Sequence, residues 1–150
     1  MSGAVHKYLG FTLGGDDFLV PITEVVEIVG LLPITPVPGA AASLRGVVSL
    51  RDEVVPVVDL RPRFGTDRTD ATEPTCIVIV RAGGASAGLL VDRVSEVVGV
   101  DPAEIAPVTG LGTHLPGEHL VGIANSASGV RFVLDVDSAI GTGEFVPTST

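Results

Sequence analysis

The apolar residues of this 150-residue chain come in short runs of Val, Ile and Leu, each cut within a few positions by glycine or proline. With 19 Gly and 11 Pro spread along the chain, long helices are excluded from most of it. Inside a helix glycine costs about 1 kcal/mol and proline about 3 kcal/mol relative to alanine. Val and Ile are stiff at χ1 and suit a pleated surface, so the runs predict strands. Leu9, Phe11 and Leu13 alternate with smaller residues, Gly14-Gly15-Asp16-Asp17 reads as a turn, and Phe18, Val20 and Ile22 alternate after it. This is the pattern of a hairpin. Val25 to Val29 is a further run, with Glu27 inside it. Val47 to Leu50 and Val54 to Val58 predict two strands around Arg51-Asp52-Glu53, and Asp59 to Gly65 reads as a short helical turn.

The second half repeats this order. Strands are expected at 75–80, 88–91, 94–100, 120–124 and 130–134, a short helix at Asp101-Pro102-Ala103-Glu104, and a last turn at Asp137 to Ile140. At an offset of 69, Gly14-Gly15 falls on Gly83-Gly84, and Val20, Val25 and Glu27 fall on Leu89, Val94 and Glu96. At an offset of 76, Gly46, Val57, Val58 and Asp59 fall on Gly122, Val133, Leu134 and Asp135. Matches at Glu, Asp and paired Gly, uncommon letters here, mark an internal duplication. About five short strands per copy, with Gly and Pro corners, predict an all-β molecule of two small barrels with a groove between them.

Composition narrows the function. The net charge is −9, and the chain has a single lysine and no tryptophan. It lacks the phosphate-neutralising charge and stacking platforms of a nucleic-acid binder. The longest uncharged stretch, Ile28 to Leu44, contains Pro33, Pro36 and Pro38 and does not read as a membrane span. The first residues show no apolar block of a leader. The single cysteine, Cys76, fits a reducing, cytoplasmic compartment and reads as a small buried hydrophobe.

The chain carries few signatures of reactive chemistry. No nucleophile elbow, phosphate loop or dinucleotide fingerprint is present. His114, Glu118 and His119 lie close together in a Gly-rich loop, which leaves open a small metal site. Asp59 and Asp135 precede helical turns and read as caps. Glu27, within an apolar run, and Arg51, at the turn of the most apolar hairpin, carry two readings. Either Glu27 faces outward on an alternating strand and Arg51 is an ordinary turn residue, or the two meet a partner or bridge the barrels. The planar fork of arginine suits the second reading.

Tyr8-Leu9-Gly10-Phe11-Thr12-Leu13, then Val20-Pro21-Ile22, Val25 and Glu27-Ile28, resemble the start of a CheW domain. Gly46-Val47-Val48-Ser49-Leu50-Arg51, followed by Val54-Val55-Pro56-Val57-Val58-Asp59-Leu60-Arg61, resembles its most specific motif. Gly88 to Val97, and Leu120 to Ile123 with Leu134-Asp135-Val136, resemble two later blocks. The match runs in order from about Tyr8 to Gly141. It implies one CheW-like domain over 1–150, with two five-stranded SH3-like barrels and short helical turns. The first barrel would cover about 14–79. The second would cover about 80–141, with strand 8–13 as an exchanged member, and 142–150 would be a flexible tail.

The resemblance also implies a job: a non-enzymatic, cofactor-free adaptor that joins the histidine kinase CheA, through its regulatory domain, to the cytoplasmic tip of chemoreceptors. Such a protein would be a monomer in isolation. It would be cytoplasmic and recruited to receptor arrays at the inner face of the membrane, without insertion. Coupling in a non-flagellar chemosensory pathway is an alternative, as is a fragment of a kinase regulatory domain. The initiating Met1 and the short tail favour a free-standing protein. Carried over by position, Val25 and Glu27 match the family's interaction surface. Gly46 matches the glycine ahead of its hairpin, Arg51 the arginine of its Asn-Leu-Arg-Gly signature, and Val54 a position just past that turn. Ser49 replaces the usual Asn and Asp52 the usual Gly. A glycine there implies positive φ, which Asp tolerates at some cost, and the Asp52 carboxylate is placed to neutralise or redirect Arg51.

Overall fold

A computed structural model describes residues 5–39, 44–61, 75–82, 84–107, 120–126 and 129–140. The expected loops at 66–75 and 109–119, apart from Thr75, and the expected tail at 142–150 lie outside the described residues. Eleven strands are described: β1 (His6–Leu13), β2 (Asp16–Pro21), β3 (Val25–Gly30), β4 (Leu44–Leu50), β5 (Glu53–Val58), β6 (Cys76–Ala82), β7 (Ala85–Val91), β8 (Arg93–Val100), β9 (Ile105–Ala106), β10 (Leu120–Ser126) and β11 (Gly129–Leu134). The helical content among them is two single 3₁₀ turns, at Ile22–Glu24 and Pro102–Glu104, and α1 (Val136–Ile140). No helix among the described residues is long and apolar enough to cross a membrane.

The strands form two sheets. One, here the first barrel, has the order β3-β6-β7-β5-β4; the other, the second barrel, has the order β8-β1-β2-β11-β10-β9. This all-β pair of curled sheets is the SH3-like arrangement expected from the sequence. Backbone pairing leaves each sheet open in the described residues, so these are not closed hydrogen-bonded cylinders.

The boundaries expected at 14–79 and 80–141 require correction. β2 belongs to the second barrel together with β1, and β6 and β7 belong wholly to the first. The physical reason is a reciprocal exchange of hairpins. β2 pairs in parallel with β11 (Val133 opposite Leu19), and β7 pairs in parallel with β5 (Val57 opposite Gly88). These two registers are equivalent under the sequence offsets of 76 and 69. So are Leu9 opposite Val97 and Ile28 opposite Val78, and so are the irregularities at Leu44/Gly46 and Leu120/Gly122. Each copy of the duplication donates its leading hairpin to the barrel of the other.

The exchange explains why the central strands are apolar on both faces. In β6, Val78 and Val80 enter the large core between the sheets, while Ile77 and Ile79 enter the interior of the first barrel. In β2, Phe18 and Val20 enter the large core and Leu19 the interior of the second barrel. Strand periodicity of two assigns alternate side chains to different cores. Phe18 stacks on Phe11 at 5.6 Å between centroids and meets Phe132 at 5.8 Å. Val136, Ala139 and Ile140 of α1 are buried in the same core.

One local expectation also needs adjustment. The helix start at Asp101 yields one 3₁₀ turn, capped where the Ala103 N–H donates to Asp101 Oδ1 at 2.9 Å. β9 follows directly, so the backbone is recruited into pairing with β10. Of the turn expected at Asp59 to Gly65, residues 62–65 lie outside the described residues. The Arg61 N–H donates to Asp59 Oδ1 at 3.1 Å, a cap-type bond, and the buried carboxylate also pairs with the Arg61 side chain, as described next.

Candidate functional site

Arg51 and Asp52 form the two-residue turn between β4 and β5, with φ of 49° and 66°. Two consecutive left-handed residues are what a tight hairpin demands, and neither is glycine, so the turn carries strain. The positive φ of Asp52 is the one expected there from the resemblance. Arg51 reaches across to β3. Its Nη1 donates to Glu27 Oε2 at 2.6 Å and its Nη2 to Glu27 Oε1 at 2.9 Å. The guanidinium is thus engaged by Glu27, and this two-point pairing holds an otherwise mobile fork in one orientation.

β3 and β4 are the two end strands of the first barrel. The Glu27–Arg51 pair therefore bridges two edges of one barrel, where backbone pairing does not close it, and does not bridge the two barrels. Glu27 does not face outward as an alternating strand predicts. Its side chain is 22% exposed, against 74% for Arg51. Val25, opposite Val80, packs against the core between the sheets, and past the register shift Glu27 lies opposite Ile79 and is half-buried as well. The outward positions are Val26 and Ile28, both exposed, and Val54, just beyond the turn, is 65% exposed. A paired charge beside exposed apolar side chains suits docking of another protein, with an apolar centre and a polar rim.

Gly46 does not join this surface. It is buried, at φ 147°, and a Cβ there would overlap the backbone of Thr35. Thr35 and Val47 exchange backbone hydrogen bonds at 2.8 Å, which ties the Pro-rich connection to β4. Gly46 therefore shapes the strand that carries the turn. Val25, Glu27, Arg51, Asp52 and Val54 share one barrel, with Gly46 beneath them. His114, Glu118 and His119 lie outside the described residues, and no cluster of metal-ligating side chains occurs among those described.

A second polar constellation centres on Asp59, which the sequence marks as a cap and whose Oδ1 accepts from the Arg61 N–H at 3.1 Å. Asp59 is fully buried, and its Oδ1 accepts from Arg61 Nε at 2.9 Å and its Oδ2 from Arg61 Nη2 at 2.8 Å. Arg45 lies 3.7 Å from the same carboxylate. Arg61 Nη1 continues to Asp92 Oδ1 at 3.4 Å. The guanidinium is held above its ordinary protonation range by the hydrogen bond to Asp59, working against burial. The available signal was an Asp and an Arg two apart at the end of an apolar strand. Asp135 acts as a cap, accepting from Ser138 N–H at 3.2 Å. Cys76 is half-buried and free, and burial pushes its thiol up.

Residues 7–144 match a family model described as a CheW-like domain. The chain is similar to the chemotaxis protein CheW of Klebsiella aerogenes, with 28% identity covering 93% of this chain and 84% of the relative. It is 34% identical to a probable chemotaxis protein CheW of Rhizobium etli, covering 79% of this chain and 76% of that one. Among solved structures it is similar to the scaffolding protein TtCheW from Thermoanaerobacter tengcongensis. The TM-score is 0.85 at 27% identity, over 95% of this chain and 92% of that one.

Proposed function

The chain belongs to the CheW-like domain family, and on that premise we propose that it is a chemosensory adaptor, coupling chemoreceptors to the histidine kinase CheA by contact and without catalysis. The observation that carries this reading is the tip of the first barrel. A strained turn is held by a two-point ion pair, with exposed Val26, Ile28 and Val54 alongside. Arg51, Asp52, Glu27, Val25 and Val54 form the docking surface, and Gly46 fixes the strand beneath it. The regulatory domain of CheA and the receptor's cytoplasmic tip are the partners. The protein is cytoplasmic and monomeric when free. In a receptor array at the inner face of the membrane, many modest contacts add through multivalency. The net charge of −9 keeps the free form soluble and biases partner choice.

The test is a charge reversal at the pair. Arg51→Glu and Glu27→Lys are each titrated against a CheA regulatory domain and, separately, a receptor fragment. Each variant should weaken one of these contacts about tenfold, about 1.4 kcal/mol. Folding stability should fall by no more than about 0.5 kcal/mol, the scale of an exposed pair. The double variant re-forms the pair with inverted charge and should remain defective. Full recovery in the double variant would make the pair purely structural. Wild-type protein that binds neither partner would overturn the reading.

A further inference from the structure

The carboxylate of Asp92 stands at the crossover from β7, in the first barrel, to β8, in the second. Its two oxygens face different barrels. Oδ1 lies 3.4 Å from Arg61 Nη1, on the segment that leaves β5. Oδ2 accepts from the backbone N–H of Gly14 at 2.9 Å, in the β1–β2 turn. The backbone N–H of Asp92 donates to Thr12 O at 3.0 Å, next to that turn. We propose that Asp92 is the positioning residue of an inter-barrel latch, which holds Arg61 of the first barrel against the Gly14 turn of the second and so sets the angle between the barrels.

Three observations support this. The core between the sheets is apolar, and apolar attraction is non-directional; a charged link with fixed geometry supplies the orientation that it lacks. Arg61 does not need Asp92 for charge balance, because buried Asp59 already holds it through two nitrogens. The Asp92 arm is thus an addition to a complete pair, and it can be lost without leaving a buried charge alone. Finally, the latch borders a cleft of about 280 Å³, lined by Leu31, Pro33, Leu90, Arg61 and Asp92 among others, so its outer side is not packed solid. The duplicated seam lacks the same device. The offsets carry Asp59, Arg61 and Asp92 to Asp135, Asp137 and Thr23, which puts a carboxylate where the first seam has its guanidinium.

The consequence for coupling rests on the function proposed above; the latch itself does not. Spin labels at Arg81→Cys in the first barrel and Val121→Cys in the second, with Cys76→Ser, report the distance between barrels by pulsed electron resonance. Asp92→Ala should widen that distribution about twofold, since it frees a hinge. Asp92→Asn preserves size and an acceptor for Gly14 and should fall between the two, which covers the case of a poorly folded alanine variant. Distributions identical to the parent in both variants would overturn the latch. In reconstituted complexes, Asp92→Asn should bind each partner alone within about twofold of wild type, yet lose about fivefold of receptor-dependent kinase stimulation, because coupling needs both faces in register. Unchanged stimulation would overturn the positioning role. If the parent protein binds neither partner while the distances respond, the latch stands and the adaptor reading falls.

Discussion

Two residues beyond the buried aspartate that follows β5 stands Arg61; two residues beyond the corresponding Asp135, after β11, stands Asp137. The two barrels share strand registers, bulges and parallel pairings, yet their charges have diverged. Glu27 is half-buried and paired, whereas its counterpart Glu96 is exposed. The offset that takes Glu53 to Gly129 takes Arg51 to Ala127, so Glu96 has no arginine at the equivalent turn. One interior pair has diverged by compensation. Gly10 faces Leu19 in the second barrel, while Ile79 faces Gly88 in the first, the same large-and-small pair reversed. A core tolerates exchange of volume across a pair better than a change in its sum. Backbone pairing holds the duplicated plan, while polar chemistry is free to specialise one copy.

The sharpest way to break that comparison is at the two aspartates. Asp59→Ala exposes a buried arginine to loss of its main partner and should cost about 3 kcal/mol. Asp135→Ala removes a cap and should cost about 1 kcal/mol. Equal costs in denaturant titrations would show that the seams have not diverged.

Next come the paired bulge glycines. Gly46 combines φ 147° with a Cβ overlap on Thr35, while Gly122 has an overlap on Ala106 without positive φ. Gly46→Ala should cost about 2 kcal/mol, and Gly122→Ala should cost less. Thermal unfolding of the two variants checks the order.

At the strained turn, Asp52→Gly should stabilise the protein by about 1 kcal/mol by relieving a left-handed residue. A destabilised variant would mean that the Asp52 side chain contributes more than its backbone costs.

The smallest effect lies in the crossover before β3. Glu24 Oε2 is buried and has no hydrogen-bond partner among the described residues. Burial first, then the charges of Asp137 and Asp135, raise its carboxyl above the ordinary 4.5. The fold therefore favours the protonated form. That contribution to stability is complete below the unfolded value and is lost as pH rises through the folded one. Glu24→Gln should raise the melting temperature at neutral pH, and the gain should vanish as the medium is acidified past 4.5. A gain independent of pH would place the effect elsewhere.

Much of the strand pattern was legible because Gly and Pro punctuate runs whose alternation is local. Glu27 and Arg51 stood out for a related reason: each interrupts an apolar pattern. Their mutual pairing was not legible, since it depends on a sheet that curls until β3 and β4 approach. The ion pair of Asp59 with Arg61 was not legible, because a cap and a buried ion pair draw on the same residue type near a strand end. Asp92 and Glu24 gave no local signal, as each acts through partners far away in the chain.

By itself the sequence determined a duplicated all-β chain, its turns and its family, because periodicity, glycine placement and motif spacing are properties of neighbouring residues. The tertiary structure alone decided which hairpin joins which barrel, which carboxylate meets which arginine, and that Asp92 joins Arg61 to the turn at Gly14. Those outcomes depend on contacts between segments tens of residues apart, where many pairings satisfy the same local pattern and only packing of the whole selects one.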